Sequence, residues 1–171
     1  MRSIAIAAAT LDGKIALERD HFSDWTSPED KAFMRKLLDE ADVIVVGNNT
    51  YKTAEKPLSR RNCIVLTSSI AAVERKRDNL LLWNPKGAPH SSILQNYRMI
   101  AVLGGAKTYS YFLENNLLDE LYLTIEPIVF GHGVSLFDHS QHVPACFSLL
   151  SMQKLNANGT VLLHYSLASA K

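Results

Sequence analysis

Cysteine pairs, long apolar runs and an excess of charge of one sign are all missing from this chain. Its two cysteines, Cys63 and Cys146, are far apart with no paired spacing, so we expect free thiols in a reducing compartment. No apolar stretch approaches the length that crosses a membrane. The 18 basic residues nearly balance the 17 acidic ones, so no overall field favours nucleic acid or an anionic membrane as a partner.

The chain begins with a basic residue and a short apolar stretch, which superficially resembles a signal peptide. Asp12 ends the stretch early and no plausible small-residue cleavage site is present, so a buried first strand is the better interpretation. The 171 residues, 47% of them hydrophobic, are enough for one domain with a sizeable core and too few for two comfortable ones. We therefore expect a single cytoplasmic domain over residues 1–171.

Short apolar runs alternate with helical patterns, which predicts an α/β domain. The runs VIVV at 43–46 and CIVL at 63–66 are apolar on both faces, as strands in a covered parallel sheet are, and NANG at 156–159 predicts a hairpin. The expected fold has three layers, with a mainly parallel central sheet and an antiparallel C-terminal hairpin. The predicted strands are 3–9, 42–46, 62–67, 79–83, 98–103, 120–127, 147–155 and 160–167, and the predicted helices are 28–40, 70–76, 91–97 and 107–115.

Asp30 is the most informative residue, and it has two interpretations. Ser27 and Pro28 are suited to the N-cap and first position of a helix, which places Asp30 in the first helical turn. A carboxylate there can simply stabilise the helix end at the protein surface, because it complements the helix dipole. Alternatively, Asp30 points into an apolar cleft between Trp25 and Phe33 and binds an amidine-like donor edge. The local sequence does not decide between these interpretations.

Two predicted strands end in glycine at the point where a helix begins. These junctions are VLGGAK at 102–107 and VVGNNT at 45–50. Glycine lets the backbone approach a ligand closely, and free N–H groups at a helix start suit a pyrophosphate. Neither junction has the three spaced glycines of the dinucleotide fingerprint. Together, two junctions at the carboxyl ends of parallel strands predict one crevice of the kind in which open α/β sheets bind nucleotides.

Six motifs together resemble the dihydrofolate reductase superfamily along nearly the whole chain. They are LDGKIA at 11–16, Trp25 with Pro28 and Asp30, GNNTY at 47–51, PLSRRN at 57–62, GGAKTY at 104–109 and LYLT at 121–124. The resemblance implies hydride transfer from NADPH to a substrate C=N bond, with a proton arriving from water. In such enzymes the cofactor supplies the hydride and the protein orients it.

One branch of the superfamily that the chain resembles is dihydrofolate reductase itself. Trp25, Pro28, Asp30 and Arg61 match its pattern, in which the Asp holds the pterin and the Arg holds the glutamate carboxylate of folate. A reduced pterin presents an amino group beside a ring N–H, and one carboxylate accepts both hydrogen bonds. Burial would raise the pKa of Asp30, whereas the helix N-terminus would lower it. On this chemistry we favour 7,8-dihydrofolate as the substrate.

The other branch is the reductase domain of the riboflavin-biosynthesis deaminase/reductase. The segments 118–127, GHGVSLF at 131–137 and DGKIA at 12–16 resemble it. The zinc deaminase signature is absent, so this branch implies a stand-alone reductase acting on 5-amino-6-(5-phosphoribosylamino)uracil. A third alternative is a domain that binds a nucleotide or pterin without turning it over, since fold does not fix function.

The resemblance also implies which residues form the site. The catalytic residues would be Asp30, Thr124 and Trp25, and the substrate would contact Ile6, Ala8, Phe33, Met34 and Arg61. NADPH would contact Ala8, Ile15, Gly47, Asn48, Asn49, Thr50, Thr67, Ser68, Gly104, Gly105, Ala106, Lys107, Thr108 and Tyr109.

Asn48 departs from the family pattern, because an arginine often follows the glycine at this position. Lys107, Ser68 or the basic cluster at 75–77 could replace the missing charge. No metal is expected, because His139 and His142 lie on a loop flanked by Ser, Gln and Pro, a composition that favours a solvated loop over a zinc site. The expected partner is a small pterin or folate substrate, and the expected assembly is a monomer or a homodimer.

Overall fold

A nine-stranded sheet forms the centre of the computed structural model, which describes residues 1–18, 21, 23–138 and 144–168. The strands are β1 (Arg2–Thr10), β2 (Lys14–Ala16), β3 (Val43–Gly47), β4 (Cys63–Leu66), β5 (Val73–Arg77), β6 (Leu80–Trp83), β7 (Met99–Val102), β8 (Glu120–Glu126), β9 (Val134–Ser135), β10 (Phe147–Lys154) and β11 (Val161–Leu167). The helices are α1 (Pro28–Glu40), α2 (Asn48–Thr53), α3 (Glu55–Leu58), α4 (His90–Leu94) and α5 (Ala106–Glu114).

The sheet is mainly parallel, with antiparallel strands at both ends. Its strand order is β10-β11-β8-β1-β7-β3-β4-β6-β5. The six strands from β8 to β6 pair in parallel, whereas β11 is antiparallel to β8 and β10, and β5 is antiparallel to β6. The predicted parallel sheet and C-terminal hairpin are therefore confirmed. The short strands β2 and β9 form a separate pair beside the sheet.

Helices cover both faces of the sheet, which confirms the three predicted layers. On one face, Leu37 and Leu38 of α1 pack with Ile4, Ile44 and other strand residues. On the other face, Phe112 of α5 packs with a second set of buried residues that includes Val45 and Trp83. The alternating directions of successive strand residues separate the two clusters.

The predicted helix at 70–76 is wrong, because this segment contributes β5 instead. Val73 lies opposite Trp83 and Arg77 opposite Leu80 in an antiparallel pairing with β6. All five residues of β5 are exposed, so the segment lacks the alternation of buried and exposed residues that indicates a strand. The spacing of Ile70 and Val73 is also that of one helical turn, which favoured a helix. Hydrogen bonds from β6 decide the conformation of this edge.

The carboxyl ends of five neighbouring strands create the edge at which ligands can bind. In spatial order these strands are β8, β1, β7, β3 and β4. Strands lie about 4.8 Å apart, so the edge is about 19 Å long. No helix in the described part of the chain is long and apolar enough to span a membrane. Cys63 is buried and Cys146 exposed, and both are free thiols as predicted.

Candidate active site

Asp30 lies in the first turn of α1, inside the protein. Ser27 is the N-cap, and its side chain accepts a hydrogen bond of 3.3 Å from the Asp30 backbone N–H. Pro28 begins the helix, so the predicted helix start is confirmed. Only 7% of Asp30 is exposed. The carboxyl group is therefore buried at the site and is not a surface charge that merely complements the helix dipole.

The surroundings of Asp30 change its affinity for a proton. Burial is the largest influence, and it raises the pKa of the Asp30 carboxyl above its ordinary value. The hydroxyl groups of Thr124 and Thr26 stabilise the charged form and oppose this rise. The carboxyl of Glu126 raises the pKa further, whereas Lys31 lowers it. Asp30 consequently holds a proton at a higher pH than an exposed aspartate does, as acid–base groups in enzymes commonly do.

Strand pairing brings Thr124 beside the residues predicted to contact the ligand ring. In the parallel pair of β1 and β8, Ala8 lies opposite Thr124 and Ile6 lies opposite Tyr122. Thr124 is 2% exposed, whereas Ala8 is partly open to solvent. Thr124, Ala8 and Asp30 therefore meet at one end of the ligand-binding edge, as the resemblance implies.

Aromatic side chains form the walls near Asp30. Trp25 packs edge-on against Phe130 with ring centroids 5.1 Å apart, and Phe33 packs against Tyr122 at 5.5 Å. The indole Nε1 of Trp25 is buried and has no hydrogen-bond partner among the described residues. A buried donor without a partner is uncommon, so this group is available to a ligand or an ordered water molecule.

Arg61 lies at the opposite end of α1 from Asp30. Its guanidinium donates to the Asp39 carboxylate at 2.6 Å, just before β4 begins. The rise of α1 from Asp30 to Asp39 is about 14 Å, at about 1.5 Å per residue. Phe33 and Met34 lie along this path, partly buried against the core. The structure therefore does not bring Arg61 and Asp30 into contact, and only an extended ligand could reach both.

The two glycine junctions meet at the middle of the ligand-binding edge. Gly47 is the last residue of β3 and lies beside the turn after β7, and its N–H donates to the Gly104 carbonyl at 2.5 Å. Gly104 has a φ of +84°. A Cβ atom at Gly104 would lie 2.5 Å from the ring of Tyr109. Glycine is thus required both by the backbone conformation and by this close approach.

Two residues predicted to bind the cofactor have buried side chains. Thr108 and Tyr109 are each 3% exposed, and the Tyr109 hydroxyl donates to the Ile6 carbonyl at 2.6 Å. The Tyr109 ring therefore packs directly against Gly104 in the glycine turn. Other predicted cofactor residues are at least partly open to solvent on the same edge, namely Asn48, Asn49, Thr50, Thr67, Ser68, Gly105, Ala106 and Lys107. Ile15, on β2, packs against the α5 face of the core.

The start of α5 fits a pyrophosphate. Its N-cap is Gly105, which offers no side-chain hydrogen bond, so the first N–H groups of the helix stay available to an anion. Thr67 and the exposed Ser68 follow β4 on the same edge. These groups match the phosphates and ribose of a dinucleotide, so a nicotinamide dinucleotide fits the residues present.

The basic cluster at 75–77 cannot replace the charge that is missing at Asn48. In the pairing of β5 with β6, Arg77 lies opposite Leu80, the first residue of β6. The cluster therefore lies toward the amino-terminal edge of the sheet, away from the ligand-binding edge. Lys107 is exposed beside the glycine turn and remains suitable for this role.

Replacing Lys107 with alanine is expected to weaken NADPH binding more than NADH binding. The two cofactors differ only by the 2′-phosphate, and a lysine that meets this group acts as a point charge. The loss for NADPH should be about fivefold, which corresponds to about 1 kcal/mol, the upper limit for one exposed charge pair. Fluorescence titration of both cofactors measures the effect. Equal losses for both cofactors would assign Lys107 to the shared pyrophosphate or remove it from the site.

Two further acidic residues organise the site and were not predicted. Glu126, at the end of β8, accepts a hydrogen bond from the Ser27 backbone N–H at 2.7 Å. Asp12 accepts hydrogen bonds from Thr10 and from the Gly131 backbone N–H, and these bonds lower its pKa to about 2. Both residues lie in segments that carry the resemblance, but their contacts join segments distant in sequence, so the sequence did not predict their roles.

No group of described residues could hold a metal ion. The polar loop with His139 and His142 lies outside the described residues.

Comparisons with known proteins agree with this geometry. The family model for dihydrofolate reductase matches residues 3–133. The dihydrofolate reductase of Haemophilus influenzae is 27% identical over 119 residues, which cover 70% of this chain and 68% of that protein. The solved structure of a proposed riboflavin biosynthesis protein from Shewanella sp. PV-4 is 25% identical, with a TM-score of 0.78 and coverage of 98% of this chain and 99% of that one.

Dihydrofolate reductase from Enterococcus faecalis, solved in complex with NADP(H), shares the fold. Its TM-score is 0.66 at 18% identity, over 97% of this chain and 96% of that one. The structural likeness thus extends to both branches of the superfamily. Because the family model covers most of the sequence, this chain belongs to the dihydrofolate reductase family.

Proposed function

We propose that this chain is an NADPH-dependent reductase that transfers hydride to a pterin C=N bond and converts 7,8-dihydrofolate to tetrahydrofolate. The observation that carries the proposal is the buried Asp30 carboxyl beside Thr124, at one end of the ligand-binding edge. An isolated buried carboxyl is costly unless it has a partner. The amino group and ring N–H of a pterin are suitable partners, because one carboxylate accepts both.

The reaction divides between the cofactor and the protein. Bound NADPH would supply the hydride for the new C–H bond and become NADP⁺, while the neighbouring nitrogen takes a proton from water. Asp30 accepts the hydrogen bonds of the ring edge and so orients the C=N bond. Thr124 supports the same carboxyl group. Phe33 and Trp25 shield the site from water, which strengthens these polar contacts.

The length of α1 supports a substrate with a long tail. A pterin held at Asp30 can extend past Phe33 and Met34 to Arg61, a path of about 14 Å along the helix. Phe33 and Met34 are apolar and partly open, so they can contact an aromatic linker. Arg61 is the cation at the far end, and its planar guanidinium matches a carboxylate.

One observation favours a second candidate, the riboflavin-type reductase that acts on 5-amino-6-(5-phosphoribosylamino)uracil. Arg61 already donates to the chain's own Asp39 at 2.6 Å, so a folate carboxylate must displace or join this contact. The likeness to the Shewanella protein also extends over nearly the full length of both chains. An aminouracil presents donor groups that Asp30 can bind in the same way.

Arg61→Leu tests the folate proposal. The substitution is expected to raise the KM for dihydrofolate by about 30-fold, since a charge-assisted pair is worth about 2 kcal/mol. It should barely change the KM for a truncated pterin without the glutamate tail. Both KM and kcat are measured, because a remote anchor can contribute to turnover.

Asp39→Asn is the matched control. It removes the internal competitor and leaves Arg61 in place, so the KM for dihydrofolate should stay the same or fall. Equal effects of Arg61→Leu on both substrates would contradict the role of Arg61 in binding a folate tail.

A further inference from the structure

Glu126 is a buried carboxyl group for which the proposed reaction has no direct use. It ends β8 and is 4% exposed. One carboxylate oxygen accepts from the Ser27 backbone N–H at 2.7 Å, and the other accepts from the Thr160 hydroxyl at 2.7 Å. None of the ion pairs among the described residues involves Glu126. A buried carboxyl with two neutral donors and no basic partner is costly, which points to a function.

These contacts attach the first turn of α1 to the sheet. Ser27 receives the contact from Glu126 through its N–H, and its side chain accepts from the Asp30 backbone. Glu29 accepts a hydrogen bond of 3.2 Å from the side chain of Asn156, in the turn between β10 and β11. The helix start that carries Asp30 is thus held by β8 on one side and by the C-terminal hairpin on the other.

The directions of the hydrogen bonds around Thr160 show that its hydroxyl group donates to Glu126. The Asn156 amide donates to the Thr160 hydroxyl oxygen at 3.0 Å, while the Asn156 carbonyl accepts from the Thr160 backbone N–H at 3.1 Å. The Thr160 hydroxyl therefore has its own proton left to donate to Glu126. Both oxygens of Glu126 then receive hydrogen bonds, which is the arrangement that suits a carboxylate.

Glu126 also adds a negative charge close to Asp30. Glu126 and Thr124 are two positions apart on β8, so they face the same side of the strand. Among the described residues, the titratable and charged groups that interact electrostatically with Asp30 are Glu126 from β8, Lys31 from α1 and the buried Tyr109 from α5. Lys31 also donates to the Asp24 carbonyl at 3.1 Å, in an exposed position. Within this set, Glu126 is the one carboxyl group.

We infer that Glu126 is a positioning residue of the hydride-transfer site. It holds the first turn of α1 so that Asp30 faces Thr124, and it places a negative charge close to the Asp30 carboxyl group. The inference rests on the proposed function, because its kinetic effect is visible only if Asp30 acts in the reaction.

Glu126→Gln tests the inference, because glutamine keeps an acceptor for Ser27 but removes the charge. The readout is the limb of the kcat/KM against pH profile that disappears in Asp30→Asn. Without the charge of Glu126, Asp30 binds a proton less readily, so this limb should move to lower pH. A folded Glu126→Gln variant whose limb stays at the wild-type pH would overturn the inference.

Glu126→Asp is the matched variant that keeps the charge and shortens the side chain. Its limb should stay near the wild-type pH while its maximum rate falls, because the hold on Ser27 is weaker. A shift as large as that of Glu126→Gln would contradict the role of the charge. If Glu126→Gln does not fold, carbon-13 NMR of the wild-type carboxyl groups replaces it: the Glu126 resonance should register the titration of Asp30, and no coupling would overturn the inference.

The two proposals fail in different ways. Full activity in Asp30→Asn would refute the proposed function, and with it the kinetic part of the inference. A large loss in Asp30→Asn together with an unmoved limb in Glu126→Gln would refute the role of Glu126 alone.

Discussion

Asp30→Asn is expected to slow substrate reduction about 100-fold or more, the scale at which a positioned acid–base group contributes. Asparagine keeps the size of the side chain but cannot accept two hydrogen bonds from a pterin edge through a charged group. Asp30 is buried next to Thr124, so no solvent-exposed group can take its place. Steady-state NADPH oxidation with dihydrofolate measures the loss.

The free energy of unfolding should change by no more than about 1 kcal/mol in Asp30→Asn, because asparagine keeps the size of the side chain and can still accept hydrogen bonds from Thr124 and Thr26. The substitution also removes the cost of burying a charge. Glu40→Gln, at the exposed end of the same helix, is the matched control and should keep full activity. An unchanged rate in a folded Asp30→Asn protein would contradict the assignment.

Gly104→Ala is expected to destabilise the protein by about 3 kcal/mol, which combines a left-handed backbone conformation with overpacking. Gly104 has a φ of +84°, and a Cβ atom there would lie 2.5 Å from the Tyr109 ring. The ring cannot easily move, because it is 3% exposed and its hydroxyl donates to the Ile6 carbonyl. Denaturant unfolding of the variant measures the effect.

Gly105→Ala is the matched control for this substitution. Gly105 has a φ of −74°, and a Cβ atom would lie 3.4 Å from the Thr50 hydroxyl. Its free energy of unfolding should therefore stay within about 1 kcal/mol of wild type. Equal destabilisation by both substitutions would contradict the explanation that the Tyr109 ring leaves no room for a side chain at Gly104.

The sheet was predictable because its central strands carry their own signal. The segments at 43–46 and 63–66 are apolar on both faces, which only a covered parallel sheet accommodates. The antiparallel strand β5 was not predictable, because all of its residues are exposed and its conformation depends on pairing with β6. Edge strands of this kind carry little pattern of their own.

The start of α1 was also predictable, since Ser27 and Pro28 are local signals. The burial of Asp30 was not, because Thr124 and Glu126 on β8 enclose it. The contacts of Glu126 join residues 99 and 34 positions apart in the sequence, a separation that no motif spans. The position of Asp30 in the first turn of α1 was thus predictable from neighbouring residues, whereas the surroundings of its carboxyl group depend on the fold.

The register of β5 could likewise not be predicted from the sequence alone. A basic cluster at 75–77 is visible in the sequence, and only its pairing shows that Arg77 lies beside the first residue of β6. The pairing of Arg61 with Asp39 is a similar case, because it brings together the end of α1 and the segment before β4. Both findings bear directly on which anion the site can accept.

NADPH oxidation with two substrates, 7,8-dihydrofolate and 5-amino-6-(5-phosphoribosylamino)uracil, decides between the folate assignment and the riboflavin-type assignment. Absorbance at the nicotinamide band is followed for the wild-type protein, with the Asp30→Asn variant as the low-activity control. The proposal predicts NADPH oxidation with dihydrofolate and a much lower kcat/KM with the aminouracil. The Asp30→Asn variant should show a much lower rate with dihydrofolate than the wild-type protein. Reduction of the aminouracil while dihydrofolate stays unchanged would contradict the folate assignment and support the riboflavin-type reductase instead.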